Sequence, residues 1–328
     1  MKKQLIAAGT ALSLLALAAC GSGDYAATEI PPKPAAPTST APPPAGPTCT
    51  NNLRDELRSY APTGALPPPG QMLAGSKMAE IESRGRLRAG ISADSLNLGS
   101  RNPISGAIEG FDIDMVREVA RAIFGDPNKV ELVVISSPQR IPVLQNKNSD
   151  IDIVARNMTI NCARWQQIAF SAEYYRSGQK TLVQRDSPAK SLADLRGKTV
   201  CAPAGSTSLD NLNKYKDRGV KAITADTDTG CLVLFQQGKA DGITGDDTVL
   251  AGEAAQDPYA RIIQDERISD EPYGLGMAKD DVVFARFVNG VLAEMKASGR
   301  WKASYDKWLA PTLGAAPTPP VALYGRTP

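Results

Sequence analysis

Histidine is missing altogether from this 328-residue sequence. Its absence excludes Ser-His-Asp and Cys-His activation of a nucleophile, and with them His-ligated zinc or haem. Other catalytic signatures are missing too. No GxSxG or HExxH occurs, and Gly274-Leu275-Gly276 lacks the third glycine of a dinucleotide site. Arg196-Gly197-Lys198-Thr199 looks like the end of a phosphate-binding loop, but the required first glycine falls on Leu192. Glu173 and Glu253 are the only acids left for an enzyme, and neither sits in a signature. Charge of one sign is also scarce. Lys+Arg 37 against Asp+Glu 35 gives +2, and removing Lys2 and Lys3 leaves 35 of each. Such a balance lacks the basic stripe that nucleic-acid binding requires. The expectation is a protein with no catalytic residue, no metal, no cofactor and no nucleic-acid partner.

What is present starts with apolar content of 42%, enough for one large domain or two medium ones. Met1 to Cys20 opens with two lysines and continues as an apolar run from Leu5 to Ala19, too short to span a bilayer comfortably. Its end, Leu17-Ala18-Ala19-Cys20-Gly21, resembles the lipobox of bacterial lipoproteins. The resemblance implies a signal peptide over residues 1–19 and lipidation of Cys20, on the outer face of the bacterial cell membrane. Gly21 to Pro47 is mostly Ala, Pro, Ser, Thr and Gly with few charges, and eight prolines fall between Pro31 and Pro47. This composition buries too little apolar surface to fold. Extended at about 3.1 Å per residue, it makes a tether with a reach on the order of 80–90 Å. The tail from Pro311 to Pro328 is also Pro-rich and reads as a loose strap.

Four cysteines remain after lipidation: Cys49, Cys162, Cys201 and Cys231. No CxxC is present, and outside the cell the four most naturally form two disulfides. Cys201 ends a strand-like run and Cys231 opens a helix-like one, so these two are expected to pair. Cys49 would then staple the end of the tether to Cys162.

Between the tether and the tail, strand and helix patterns alternate. Met72 to Arg84 has helical spacing and stops at Gly85; Gly110 to Phe124 is amphipathic, with Met115, Val119, Ala122 and Ile123 on one face. Val130 to Ile135 and Ile151 to Ala155 read as buried strands. Leu182–Gln184, Lys198–Ala202, Lys221–Thr224 and Gly242–Thr244 repeat the pattern, separated by helices at Ser208–Lys216 and Gly230–Gln237. A helical stretch from Asp280 to Leu309 carries Phe284, Phe287, Val291, Leu292, Met295 and Trp301 as its apolar stripe. Two successive α/β units with parallel pairing follow from this alternation.

Several segments, in order, resemble the solute-binding proteins for polar amino acids that serve ATP-binding-cassette (ABC) importers. Gly110-Phe111-Asp112-Ile113-Asp114-Met115 matches that family's signature. Arg140-Ile141-Pro142-Val143-Leu144-Gln145-Asn146 looks like its R-I-P-x-L-Q-N helix, and Thr159-Ile160 followed by Arg164 its T-I-T-x-x-R segment. Phe170-Ser171 with Tyr174-Tyr175, the run from Leu195 to Ser208, and Asp241 to Asp247 continue the match, which spans about Arg86 to Leu309. The glutamate/aspartate- and glutamine-binding lipoproteins are the members it most resembles. The resemblance implies a two-lobed, class II periplasmic-binding-protein-like α/β fold with a ligand cleft between lobes. It divides the chain into a tether (20–48), lobe 1 (49–180), lobe 2 (181–270), a return to lobe 1 (271–310) and a tail (311–328).

An amino-acid zwitterion needs a cation, an anion and a test of its side chain. Arg164 suits the carboxylate because a guanidinium offers two parallel donors. The resemblance puts the corresponding arginine there, with Asn157 and Thr159 just before it. Ser206 and Thr207 stand before a helix, where free N–H groups favour an anion and an N-cap role is equally served. Asp246, at the expected carboxyl end of a strand, matches the ammonium partner, with Asp247 as the alternative. Ser137 and Arg140 match positions that hold a side-chain carboxylate in glutamate/aspartate-binding relatives, which favours Asp or Glu. The relatives carry a further arginine near Ser92 that is missing here. Arg101 could replace it, so Asn and Gln stay open. The resemblance implies hinge closure near Tyr175–Thr181 and Asp270–Gly274, with the loaded form read by a membrane permease or a membrane sensor.

Overall fold

The computed structural model describes residues 52–328, so Cys20, the tether and Cys49 lie outside the described residues. Short apolar runs supply the first of two main sheets. Leu87–Ile91 lies between Val130–Val134 and Ile153–Ala155, parallel to both, and the order continues through Gly276–Met277 to Ala169–Phe170 in antiparallel fashion. Leu87, Ala89, Ile91, Ile153, Val154 and Ala155 are wholly buried, as the inner strands of a helix-covered sheet must be. Val130–Val134 is instead the edge strand and only half-buried, which corrects the expectation from its β-branched run. Helix Phe111–Phe124 packs Met115, Val119 and Ile123 on this sheet, while Ala122 is only partly covered. Its entry needs Gly110, whose φ is +144° and whose place would put any Cβ 2.3 Å from the Leu98 carbonyl oxygen.

The second sheet has the order Lys221–Ala225, Thr199–Pro203, Gly242–Asp246, Tyr175–Gln184, Ala260–Ile262. Its first three strands are parallel and the rest antiparallel. A disulfide between Cys201 and Cys231 ties its second strand to helix Asp228–Gln236. Cys162 is disulfide-bonded as well. Two strands link the sheets. Tyr175–Gln184 leaves the first sheet and forms the spine of the second, and Ser269–Tyr273 pairs antiparallel with it on the way back to Gly276–Met277. The sequence pattern captures only the end of that long strand, at Leu182–Gln184.

Element ends also shift. The first long helix is Lys77–Arg84, because Ser76 takes the N-cap and accepts from Ala79 N. The expected run from Asp280 to Leu309 divides into Val282–Ala297 and Arg300–Trp308 at Gly299, whose φ is +80°. All six residues of its apolar stripe are buried. The tail is more than a loose strap. Leu323–Tyr324 pairs in parallel with Arg58–Ser59, and Arg326 donates to the Arg58 carbonyl at 2.8 Å. The Arg326 guanidinium also lies 3.8 Å from the ring centre of Trp165, whose Nε1 donates to the Glu56 carbonyl. No helix among the described residues is long and apolar enough to cross a membrane.

Candidate functional site

A cleft between the two sheets is lined from both sides by Ser137, Arg140, Asn157, Thr159, Ser206, Thr207 and Asp246, seven of the nine residues expected to bind ligand. Only about 20 Å3 of it admits the centre of a water-sized sphere, room for water rather than an amino acid. Contacts across the cleft keep it narrow. Arg164, anchored by the short helix Cys162–Trp165 whose N-cap is Asn161, donates from Nη1 to the Thr159 carbonyl at 2.7 Å. Its Nη2 reaches the Gly205 carbonyl of the opposite lobe at 3.2 Å. Arg140 converges on the same oxygen at 3.1 Å and otherwise donates to the carbonyls of Ser137, Arg156 and Asn157. Both are buried. Desolvation, then the charges of Arg164 and Arg156, pull the Arg140 pKa down to about 9, and burial lowers that of Arg164. Two guanidiniums sharing one carbonyl are short of negative charge.

Anions face them. Asp246 ends the strand Gly242–Asp246 and is the N-cap of helix Asp247–Gln256, yet its side chain makes no capping bond. It accepts instead from Tyr273 Oη at 2.7 Å. Burial first, then the Glu271 charge, raises its pKa well above the carboxylate range. Asp247 accepts from Ser177. Glu271, on the returning strand, accepts from Thr159 at 2.6 Å and Thr207 at 2.7 Å. Ser206 behaves as an N-cap, accepting from Leu209 N.

Arg101 is not brought to this cleft. It is exposed on a hairpin and donates to the Gly106 carbonyl of the same turn, so it does not replace the arginine missing near Ser92. Sequence reasoning gave no ligand-binding role to four buried charged residues. Glu271 has a local signal, an acid inside the expected crossover; Glu253 has helical spacing from Asp246. Asp228 and Arg156 have none, since their 3.8 Å approach joins residues distant in the chain.

Residues 87–311 match the model of the bacterial extracellular solute-binding proteins, family 3. The chain belongs to this family. It is a solute-binding protein and not an enzyme, with the two-lobed class II fold. Among its relatives, the glutamine-binding protein of Geobacillus stearothermophilus is 39% identical over 62% of this chain and 76% of its own. The ABC transporter glutamine-binding protein GlnH of Bacillus subtilis is 34% identical over 71% and 84%. Among solved structures, a mutant arginine-binding protein from T. maritima superposes with a TM-score of 0.65 at 32% identity, covering 71% of this chain and 99% of that one.

Proposed function

We propose that this solute-binding protein is a lipid-anchored extracytoplasmic receptor that captures a free polar amino acid by hinge closure and delivers it to the permease of an ABC importer. Residues 1–19 are removed, Cys20 carries the lipid, and 20–48 holds the body off the membrane. Lobe 1 comprises 49–180 and 271–310, lobe 2 comprises 181–270, and the tail is 311–328. One observation supports the reading: Asp246 lines the cleft from one lobe, and Arg164, just behind the lining on the other, reaches across to the Gly205 carbonyl. A zwitterion between them gives the guanidinium a carboxylate and the aspartate an ammonium. Arg140 shares the Gly205 oxygen with Arg164, so it belongs to the α-carboxylate end rather than to a side-chain carboxylate. Thr159, Ser206 and Thr207 flank that end, and Ser137 orients Arg140 through its carbonyl. A ligand carboxylate replaces the shared Gly205 contacts with charge-assisted bonds, which is the differential affinity that closure requires. The ligand is drawn from Asp, Glu, Asn and Gln, a set that includes the glutamine named in the two relatives.

The test is a thermal-shift panel of Asp, Glu, Asn, Gln, Arg, His and Leu on the mature chain. A ligand at a hundredfold its Kd stabilises by about 2.7 kcal/mol. No shift with any amino acid, for a cooperatively melting protein, refutes the receptor reading.

A further inference from the structure

Helix Asp247–Gln256 presents Asp246, Val249, Leu250 and Glu253 to the cleft, the i, i+3, i+4, i+7 positions of one face. Asp246 is the ammonium partner in the reading above. Glu253 lies seven residues on, about 10 Å along the axis, a span suited to the side chain of an amino acid whose ammonium sits on Asp246. Glu253 is 2% exposed, and neither Oε1 nor Oε2 has a hydrogen-bond partner among the described residues. The same lining includes Asn157, buried, with its Oδ1 also unpartnered. Asn157 is held at φ +36°, where its backbone N–H donates to Asp112 at 2.8 Å.

Burying a carboxylate without donors costs several kcal/mol, so a native fold that keeps one needs a reason. The unpartnered atoms of the lining residues are all acceptors; the two unpartnered donor nitrogens nearby, on Arg156, stand behind the lining, one of them 3.8 Å from Asp228. We propose that Glu253 and Asn157 form the side-chain end of the ligand site and select amino acids whose side chains end in N–H donors, a carboxamide or a cationic group, over those ending in a carboxylate. This rests on the receptor reading. Burial, then the charges of Asp228 and Asp94, raises the Glu253 pKa well above its usual value. Protonated, Glu253 would offer a ligand carboxylate one donor against the remaining acceptor oxygens, with Asp228 in the same lining. An N–H donor satisfies the acceptors directly. The preference for Asp or Glu drawn from Arg140 is thereby reversed.

Calorimetric titration of the mature chain with glutamine, arginine, glutamate and alanine separates the outcomes. Glutamine or arginine is expected to bind at least tenfold more tightly than glutamate; which of the two wins distinguishes a carboxamide from a cationic specificity. In Glu253→Leu that ratio falls at least tenfold, while alanine, which uses only the zwitterion contacts, changes less than threefold. Asn157→Gly removes the second acceptor at a backbone angle glycine tolerates, and lowers the ratio several-fold. It keeps the test alive if Glu253→Leu fails to melt cooperatively. Glutamate binding as tightly as glutamine and arginine, or a ratio unchanged in the folded variants, overturns the proposal and leaves the receptor standing. No binding of any of the four refutes the receptor reading and this proposal together.

Discussion

Replacing Arg164 by methionine tests the carboxylate site most directly. Arg164 is 7% exposed, and its guanidinium makes two hydrogen bonds to carbonyls, one of them across the cleft. A bound carboxylate would take the fork in bidentate fashion. Hydrogen bonds to charged groups contribute about 1.5–3 kcal/mol each, and a charge pair at 4 Å in surroundings of effective dielectric about 20 contributes about 4 kcal/mol. Arg140 remains beside the same oxygen and recovers part of this. The expected loss is therefore about 3–4 kcal/mol, or about 10²–10³-fold in Kd. Titration calorimetry at pH 7 measures it, with the ligand-free melt as control. Asn161 still caps the short helix, so the fold should persist. Arg164→Lys keeps the charge without the fork and should recover less than half of the loss. A folded Arg164→Met protein that binds within threefold of the parent would refute the assignment.

Three further outcomes follow from the fold. Removing the Cys201–Cys231 disulfide by a double alanine substitution opens a loop of 30 residues and should cost about 3–4 kcal/mol in urea denaturation. Gly110→Ala forces a methyl group onto the Leu98 carbonyl at a positive φ, and is expected to lower stability by more than about 3 kcal/mol or prevent folding. Burial depresses the Lys296 pKa from 10.5 to about 8, so between those values the unfolded chain binds more protons than the folded one. Stability should rise with pH from about 8 to 10.5, by on the order of 3 kcal/mol from this group, and Lys296→Met should flatten that rise.

Much of the fold is legible in the sequence because the alternation of apolar strands and amphipathic helices records burial directly. It fails where burial and polarity part company. Ser177, Gln179 and Thr181 are fully buried on the long strand, with Gln179 donating to Ser208 O and Thr244 Oγ1, so a hydrophobic pattern starts only at Leu182. Val130–Val134 errs the other way, since a β-branched run does not reveal that its strand lies at a sheet edge. At the cleft, the placement of Thr159 and Asp246 in the lining, with Arg164 bonded to the Thr159 carbonyl behind it, is legible from motif order. Glu253 reads as an ordinary helical acid, and only the packing around Asp228 and Asp94 makes its burial visible. Arg101 is chemically suited to an acidic ligand, but its hairpin turns it toward its own backbone.

The pairing of Arg58–Ser59 with Leu323–Tyr324 has a mechanical corollary. Both ends of the folded body are fastened to the back of one jaw, around Trp165, the neighbour of Arg164. Force arriving through the chain before Asn52 is thus received by that jaw, while the jaw bearing Gly205 and Asp246 is connected to it along the chain by two strands and across the cleft by side-chain contacts such as Arg164 to Gly205. In the proposed receptor the first would be a stator and the second a rotor: on opening, Arg164 would stay fixed relative to the proposed anchor while Asp246 swings away.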